Sequence, residues 1–316
     1  MNIGIRLHDT AGTTLAEHLA AAKAQGFTCV HIAMSKVIPG FKMADAPTLL
    51  TDELADEVRA LLEANGQTCV LLGCYLNLCS PDLESHEKTV EIYKAHLRFA
   101  KRMGALLVGT ETGAPNTGYK TCPECYTEEA LQLFIDRATP VVRYAEEVGQ
   151  LFAIEPVIRH IVSTPERCER VLAAIDSPNL RVILDAVNLL GEENVADATA
   201  IIADGIARLG DKVSLLHMKD FIPYATERGQ AVKASTPNTD VFSNLVSCAC
   251  GTGDMDYAPL LALANQHDLP MTLETPTPRT PWPPASTWKR WALPCEHGSA
   301  AADLPPAPMH PALRHD

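Results

Sequence analysis

A chain of 316 residues, 47% of them hydrophobic, is long enough to enclose a large core, and parallel barrels of about 250 residues are routinely one domain. A formal net charge of -13 and a pI near 5.3 speak against a nucleic-acid partner, because phosphate binding needs clustered Lys and Arg, and favour small polar substrates. Met1 to Thr10 has no basic segment followed by an apolar signal core, and no run approaches the ~18 apolar residues of a membrane span, so a cytoplasmic protein without a membrane partner is expected.

Strand and helix alternate from the start. Asn2 to Leu7 predicts a short apolar strand. Thr14 to Gln25 predicts a helix with a capping box, in which the Thr14 hydroxyl and the Glu17 carboxylate each satisfy a free backbone N–H, and Gly26 closes it. Cys29 to Ala33 is the second strand. A helix from about Asp52 repeats Leu54, Val58, Leu61 and Leu62 on one face before Asn65-Gly66. Thr68 to Leu76 reads as the third strand, Ser85 to Met103 as a helix ended by Gly104, and Ala105 to Gly109 as the fourth strand, running out into Thr110-Glu111-Thr112-Gly113. The helix from Thr127 to Val148 holds Pro140, which removes one ladder bond and should bend it.

From here four apolar runs each finish on a residue able to bind a metal: Leu151 to Glu155, Leu180 to Asp185, Val213 to His217, and Met271 to Glu274. Thr164-Pro165-Glu166 starts the helix between the first two, a helix before Gly210 precedes the third, and a long connection from Phe221 to Asp254 leads to a helix from about Asp256 to His267. The four end residues are 30, 32 and 57 positions apart, and the first two spacings match a strand plus a returning helix in a parallel sheet. Eight strands and seven intervening helices fit a closed (β/α)8 TIM barrel, which brings Glu155, Asp185, His217 and Glu274 to one rim. An eighth helix is expected next. Instead Thr275 to Asp316 holds ten of the 23 prolines and all three tryptophans. The chain therefore divides into a barrel over 1–278, its eighth helix replaced, and an atypical or disordered Pro/Trp-rich tail over 279–316, with a composition as foreign as a reading-frame change would produce.

Several cysteines, such as Cys29 and Cys69, lie in apolar strand sequence and read as small core residues in a reducing compartment. Cys122-Pro123-Glu124-Cys125 has metal or redox spacing but no second pair to complete a site. Gly251 and Gly253 read as a tight turn before a helix, not as a phosphate loop.

Two glutamates, an aspartate and one histidine make an oxygen-rich site that suits Mn²⁺, Mg²⁺ or Co²⁺ better than a structural Zn²⁺. Such an ion holds adjacent sugar oxygens, polarises the carbonyl and acidifies the neighbouring C–H. One carboxylate can then take that proton and another return it.

The order Ile154-Glu155-Pro156, Leu184-Asp185 with Asn188 shortly after, His217-Met218-Lys219-Asp220, Gly251-Thr252-Gly253-Asp254-Met255-Asp256-Tyr257 and Leu273-Glu274 resembles the sugar phosphate isomerase/epimerase family of xylose isomerase-like TIM barrels, from the start of the chain to about Pro278. The resemblance implies Glu155, Asp185, His217 and Glu274 as ligands of a divalent metal, Glu155 and Glu274 as the proton-transfer pair, and a sugar, sugar phosphate or polyol as the small-molecule substrate. Two positions depart from ketose 3-epimerases of that group: Asn188 stands where a substrate-binding histidine is usual, and Lys219 and Asp220 where an arginine is. His8, His160, Asn188 and Lys219 are the candidate substrate-binding residues, with Arg6, His31 and Glu111 as further rim candidates. The expected activity is a metal-dependent isomerase or epimerase. A dehydratase of a cyclic keto-polyol is the alternative, and an endonuclease IV-like phosphodiesterase or a non-catalytic sugar-binding barrel fits less well. Homo-oligomerisation is left open.

Overall fold

The computed structural model describes residues 2–236 and 241–274; the tail over 279–316, and with it the replaced eighth helix, lies outside the described residues. Eight parallel strands close a barrel: β1 (Ile3–Arg6), β2 (Cys29–Ile32), β3 (Thr68–Gly73), β4 (Leu107–Glu111), β5 (Leu151–Glu155), β6 (Leu180–Asp185), β7 (Val213–Met218) and, after three short strands outside the barrel, β11 (Met271–Leu273), which pairs with both β7 and β1. Helices Leu15–Ala24, Asp52–Asn65, Leu83–Met103, Glu128–Val148, Pro165–Ile175, Ala198–Leu209 and Ala258–His267 return the chain between strands.

Local chemistry explains where these helices begin and end. Thr14 and Glu17 form the expected capping box, and Thr51, Thr127 and Thr164 each accept a backbone N–H at a helix start. Gly66, Gly104 and Gly149 end their helices in the left-handed conformation. The helix through Pro140 continues to Val148. β3 stops at Gly73, short of Leu76. β4 starts two residues later than expected and takes in Thr110 and Glu111, because Ala105 still bonds back to the helix at Ala100.

A strand's side chains alternate between faces, so one register fixes both core and rim. Leu71, Leu107, Ala153, Ile183 and Leu215 fill the barrel interior, while Phe152, Ile154, Val182, Leu184 and Leu216 pack outward against the helices. Gly109 lets Ile183 and Leu71 pack directly on its strand, since a Cβ there would lie 2.5 Å from each. Two residues further along the same inward faces stand Glu111, Glu155, Asp185 and His217. They form the layer that ends the core and begins the solvent-facing mouth.

The connection after β7 is more structured than its sequence suggests. β8 (Asp220–Pro223), β9 (Val241–Phe242) and β10 (Leu245–Cys248) form an antiparallel sheet, with a helix at Glu227–Ser235. Its two stems meet at one carboxylate. Asp220 Oδ1 accepts from the backbone N–H of Phe221 (2.8 Å) and Met255 (2.9 Å), and Oδ2 from Gly251 (2.9 Å) and Gly253 (2.8 Å). Gly253 is required for that approach, because a Cβ there would sit 2.2 Å from Asp220 Oδ1. The Gly251–Gly253 segment is thus a turn, as expected, and the structure adds that it wraps the Asp220 carboxylate.

Candidate active site

A cavity of about 550 Å³ opens at the C-terminal rim of the barrel, lined by Arg6, His8, His31, Glu155, Asn188, Lys219 and Glu274. Val241, Phe242 and Ser247 of the antiparallel insert form part of its wall. A second cavity of about 500 Å³ lies outside the barrel, near Ser163, Asn194 and Asp204, and includes none of the rim residues.

His217 is the centre of the cluster. Its Nδ1 lies 3.2 Å from Glu155 Oε2 and 3.6 Å from Glu274 Oε1. Glu155, Asp185 and His217 each offer a ligand atom within 4.8 Å of the others, and so do His31, His217 and Glu274. The four residues expected from the strand ends are therefore joined through His217, and His31 is added to them. Asp185 is fixed by its own turn, with Oδ1 accepting from the N–H of Val187 (3.0 Å) and Asn188 (3.2 Å), while Oδ2 faces Lys219 Nζ at 2.9 Å. Glu274 Oε2 faces Arg6 Nη1 at 3.3 Å, and Arg6 also grips Asp9.

These charges set one another's protonation. Burial disfavours the His217 imidazolium, but Glu155 and Glu274 outweigh it and push His217 up to about 9. Burial would raise the Glu274 carboxyl, yet Arg6, His217 and Lys219 hold it well below the usual carboxylate range. Desolvation pushes the Asp185 carboxyl up despite Lys219. Burial, and then the charge of His217, keeps His31 neutral far below its ordinary value. Neither ring nitrogen of buried His217 has a hydrogen-bond partner among the described residues. Buried nitrogens are normally partnered, so an imidazole set among carboxylate oxygens fits the donor set of a divalent cation.

Asn188 and Lys219 connect the acids. Asn188 Nδ2 donates to Glu155 Oε1 at 2.6 Å, and Lys219 Nζ donates to Asn188 Oδ1 at 2.7 Å. His8 lines the cavity with Nδ1 buried and unpartnered among the described residues, pushed down to about 4 by burial and Arg6. His160 stands to one side, 3.7 Å from Glu111 and tilted against the Tyr119 ring, and burial pushes it down to about 4. Glu111 lines the cavity and accepts from Tyr119 OH at 3.4 Å; burial, then the charge of Glu155, pushes it up to about 7.

Read from the residues alone, His31 is only a further rim candidate and Tyr75 is not singled out, although its OH lies 3.3 Å from His31 Nε2. The signal was available in part: His31 interrupts the apolar run Cys29–Ile32 as His217 ends Val213–Leu216. The Cys122 and Cys125 sulfurs lie 3.7 Å apart and belong to no group of prospective metal ligands among the described residues.

A family profile described as xylose isomerase-like TIM barrel matches residues 19–292. No curated protein sequence matches the chain. Among solved structures, the probable 3-DHS dehydratase AsbF from Bacillus anthracis is similar with a TM-score of 0.65 at 14% identity, over 87% of this chain and 93% of that one. The D-psicose 3-epimerase of Clostridium cellulolyticum H10, solved with D-tagatose, gives 0.62 at 17% identity over 92% and 90% of the two chains. The IOLI protein, solved with a zinc atom, gives 0.61 at 18% identity over 88% and 90%. At these identities the likeness is one of fold.

Proposed function

The chain belongs to the xylose isomerase-like TIM barrel family, and from that premise we propose that it is a divalent-metal-dependent isomerase or epimerase of a keto sugar, sugar phosphate or related polyol. The observation that carries the reading is the pair of carboxylates, Glu155 and Glu274, brought to either side of His217 Nδ1 at 3.2 and 3.6 Å in the mouth of the barrel. Glu155, Asp185, His217 and Glu274 would hold the ion, with Mn²⁺, Mg²⁺ or Co²⁺ suited to so many oxygens. When bound, it supplies Lewis acidity that polarises the substrate carbonyl and acidifies the adjacent C–H.

The chain's own residues handle the proton. One glutamate takes it from the carbon beside the carbonyl, and the other delivers one to the opposite face or to the neighbouring carbon, giving the epimer or the isomer. Asn188 orients Glu155 through the 2.6 Å bond, and Arg6 orients Glu274. His8, His160, Asn188 and Lys219 are the groups proposed to meet substrate hydroxyls. Incubation with Mn²⁺ and a panel of ketoses in D₂O should place deuterium next to the carbonyl. Failure to exchange with every member of the panel counts against the proposal.

Glu111 favours a second reading. Loss of water needs one group to take the proton beside the carbonyl and an acid, still protonated at neutral pH, to give one to the departing hydroxyl. A third carboxyl pushed up to about 7, beside Tyr119 and His160, is placed to serve. A dehydratase acting on a cyclic keto-polyol would produce a conjugated enone, whose ultraviolet absorbance in the same incubations separates the two reactions.

A further inference from the structure

We infer that His31 is a fifth protein ligand of the same cation, so that the site offers two imidazoles and three carboxylates. The inference rests on the metal-dependent reading above and extends it to the coordination shell.

The argument is geometric. The His31 side chain is 1% exposed, and its Nδ1 has no hydrogen-bond partner among the described residues. That nitrogen lies 3.9 Å from Glu274 Oε1, with His217 Nδ1 3.6 Å from the same oxygen. Both distances are too long for hydrogen bonds. They do suit ligands of a single ion: two atoms each ~2.1 Å from a metal stand ~3 Å apart at a right angle and ~4.2 Å apart on opposite sides. The His31 and His217 rings are stacked nearly parallel, 5.4 Å between centroids and 11° between planes, so both present an edge to the same region.

The surroundings accommodate the tautomer that ligation requires. Tyr75 OH lies 3.3 Å from His31 Nε2, and with Nε2–H donating to the phenol oxygen the Nδ1 lone pair is free. Ligating histidines are commonly held this way, by a hydrogen bond from the ring nitrogen that does not bind. Gly73 makes room for the arrangement: a Cβ there would come within 2.8 Å of His31 Nε2 and 2.6 Å of the Tyr75 ring. Arg6 leaves the right oxygen available, since its guanidinium faces Glu274 Oε2 while both imidazoles face Oε1. A second nitrogen donor moves the site toward borderline metals, raising Co²⁺ and Zn²⁺ affinity relative to Mg²⁺.

The test uses Cu²⁺ as a probe of the full chain, because its pulsed electron paramagnetic resonance spectrum counts imidazole nitrogens. Two are expected in the wild type and one in His31→Gln. In parallel, Co²⁺ should bind His31→Gln about 10- to 100-fold more weakly, with Mg²⁺ affected less than about threefold. Tyr75→Phe, which removes only the phenol oxygen, should weaken Co²⁺ severalfold. A wild-type spectrum with one imidazole, lost only in His217→Gln, overturns the inference and leaves the proposed function standing. Two imidazoles that persist in His31→Gln, or two ions per chain, also overturn it. Absence of any stoichiometric divalent ion sinks the metal-dependent reading itself. The wild-type spectrum decides even where a variant does not fold.

Discussion

Replacing Lys219 by Met keeps the aliphatic stem and removes the ammonium that lies 2.9 Å from Asp185 Oδ2. At 2.9 Å the attraction is about 6 kcal/mol for an effective dielectric of ~20. Part of it is offset, because the ammonium, 14% exposed, no longer has to be desolvated. Asp185 can also escape its isolation by taking a proton, and from its ordinary value of 3.8 to pH 7 that costs at most about 4 kcal/mol. Breaking a buried pair usually costs ~3–5 kcal/mol, so the metal-free variant should lose about 3 kcal/mol, a Tm lower by about 6–12 °C. Acidification should narrow the gap. A carboxyl whose folded form binds protons more tightly than its unfolded form gains stability as pH falls, and Asp185 is shifted further in the variant. A divalent ion supplies the missing positive charge, so saturating Mn²⁺ should raise the Tm of the variant more than that of the wild type. Calorimetric scans in EDTA and in Mn²⁺, at pH 7 and pH 5, measure all three effects. A variant within ~2 °C of wild type in EDTA at pH 7, or a gap that widens on acidification, refutes the reasoning.

Glu155→Gln and Glu274→Gln should each reduce deuterium exchange by at least about 100-fold, while Asp185→Asn should chiefly weaken metal binding, by about 10- to 100-fold in a calorimetric titration. Wild-type turnover in either Gln variant would show its assignment to be wrong. His217, pushed up to about 9, keeps its proton at pH 7 in the metal-free protein, and bound metal must displace it. Metal affinity should therefore rise about tenfold per unit from pH 7 toward 9, with about one proton released, and a flat profile contradicts this. The same raised affinity for a proton stabilises the metal-free fold fully below 6.5 and is lost as pH climbs through about 9. Gly253→Ala drives a Cβ to 2.2 Å from Asp220 Oδ1 and 2.4 Å from the Phe221 carbonyl, and should cost more than about 2 kcal/mol. Hydrogen exchange should quicken in β8 and β10 first; uniform protection would argue against the clamp.

The barrel was legible because its signals are local and repeated. Apolar runs end in Glu155, Asp185 and His217 at helix-length intervals, and Thr14, Glu17, Gly66 and Gly104 mark helix ends by their own hydrogen bonding and backbone preference. The antiparallel insert was not legible. Its strands are two to four residues long, too short for alternation to register, and its hairpin turns on Ser243 and Asn244, both with positive φ (50° and 59°), in place of a glycine pair. His31 was undervalued for a different reason: a histidine inside an apolar strand reads as core until register sets it beside Arg6 on β1 and the rings stack. Asn188 and Lys219 were found as rim positions, but only the folded chain reveals that they bond to the acids themselves.

Both stems of the β8–β10 insert fasten to Asp220, and its tip is held separately, with Ser243 accepting from Arg159 Nε (2.6 Å) and from the Glu192 backbone N–H (3.0 Å), so the flank of the cavity that carries Val241, Phe242 and Ser247 is tied at both ends. A wall held at stem and tip can exchange side chains in place, whereas a change in its length would pull on the loops of Arg159 and Glu192, which follow the strands ending in Glu155 and Asp185. Reshaping the cavity is accordingly a matter of new side chains on the hairpin with Asp220 and Ser243 both retained.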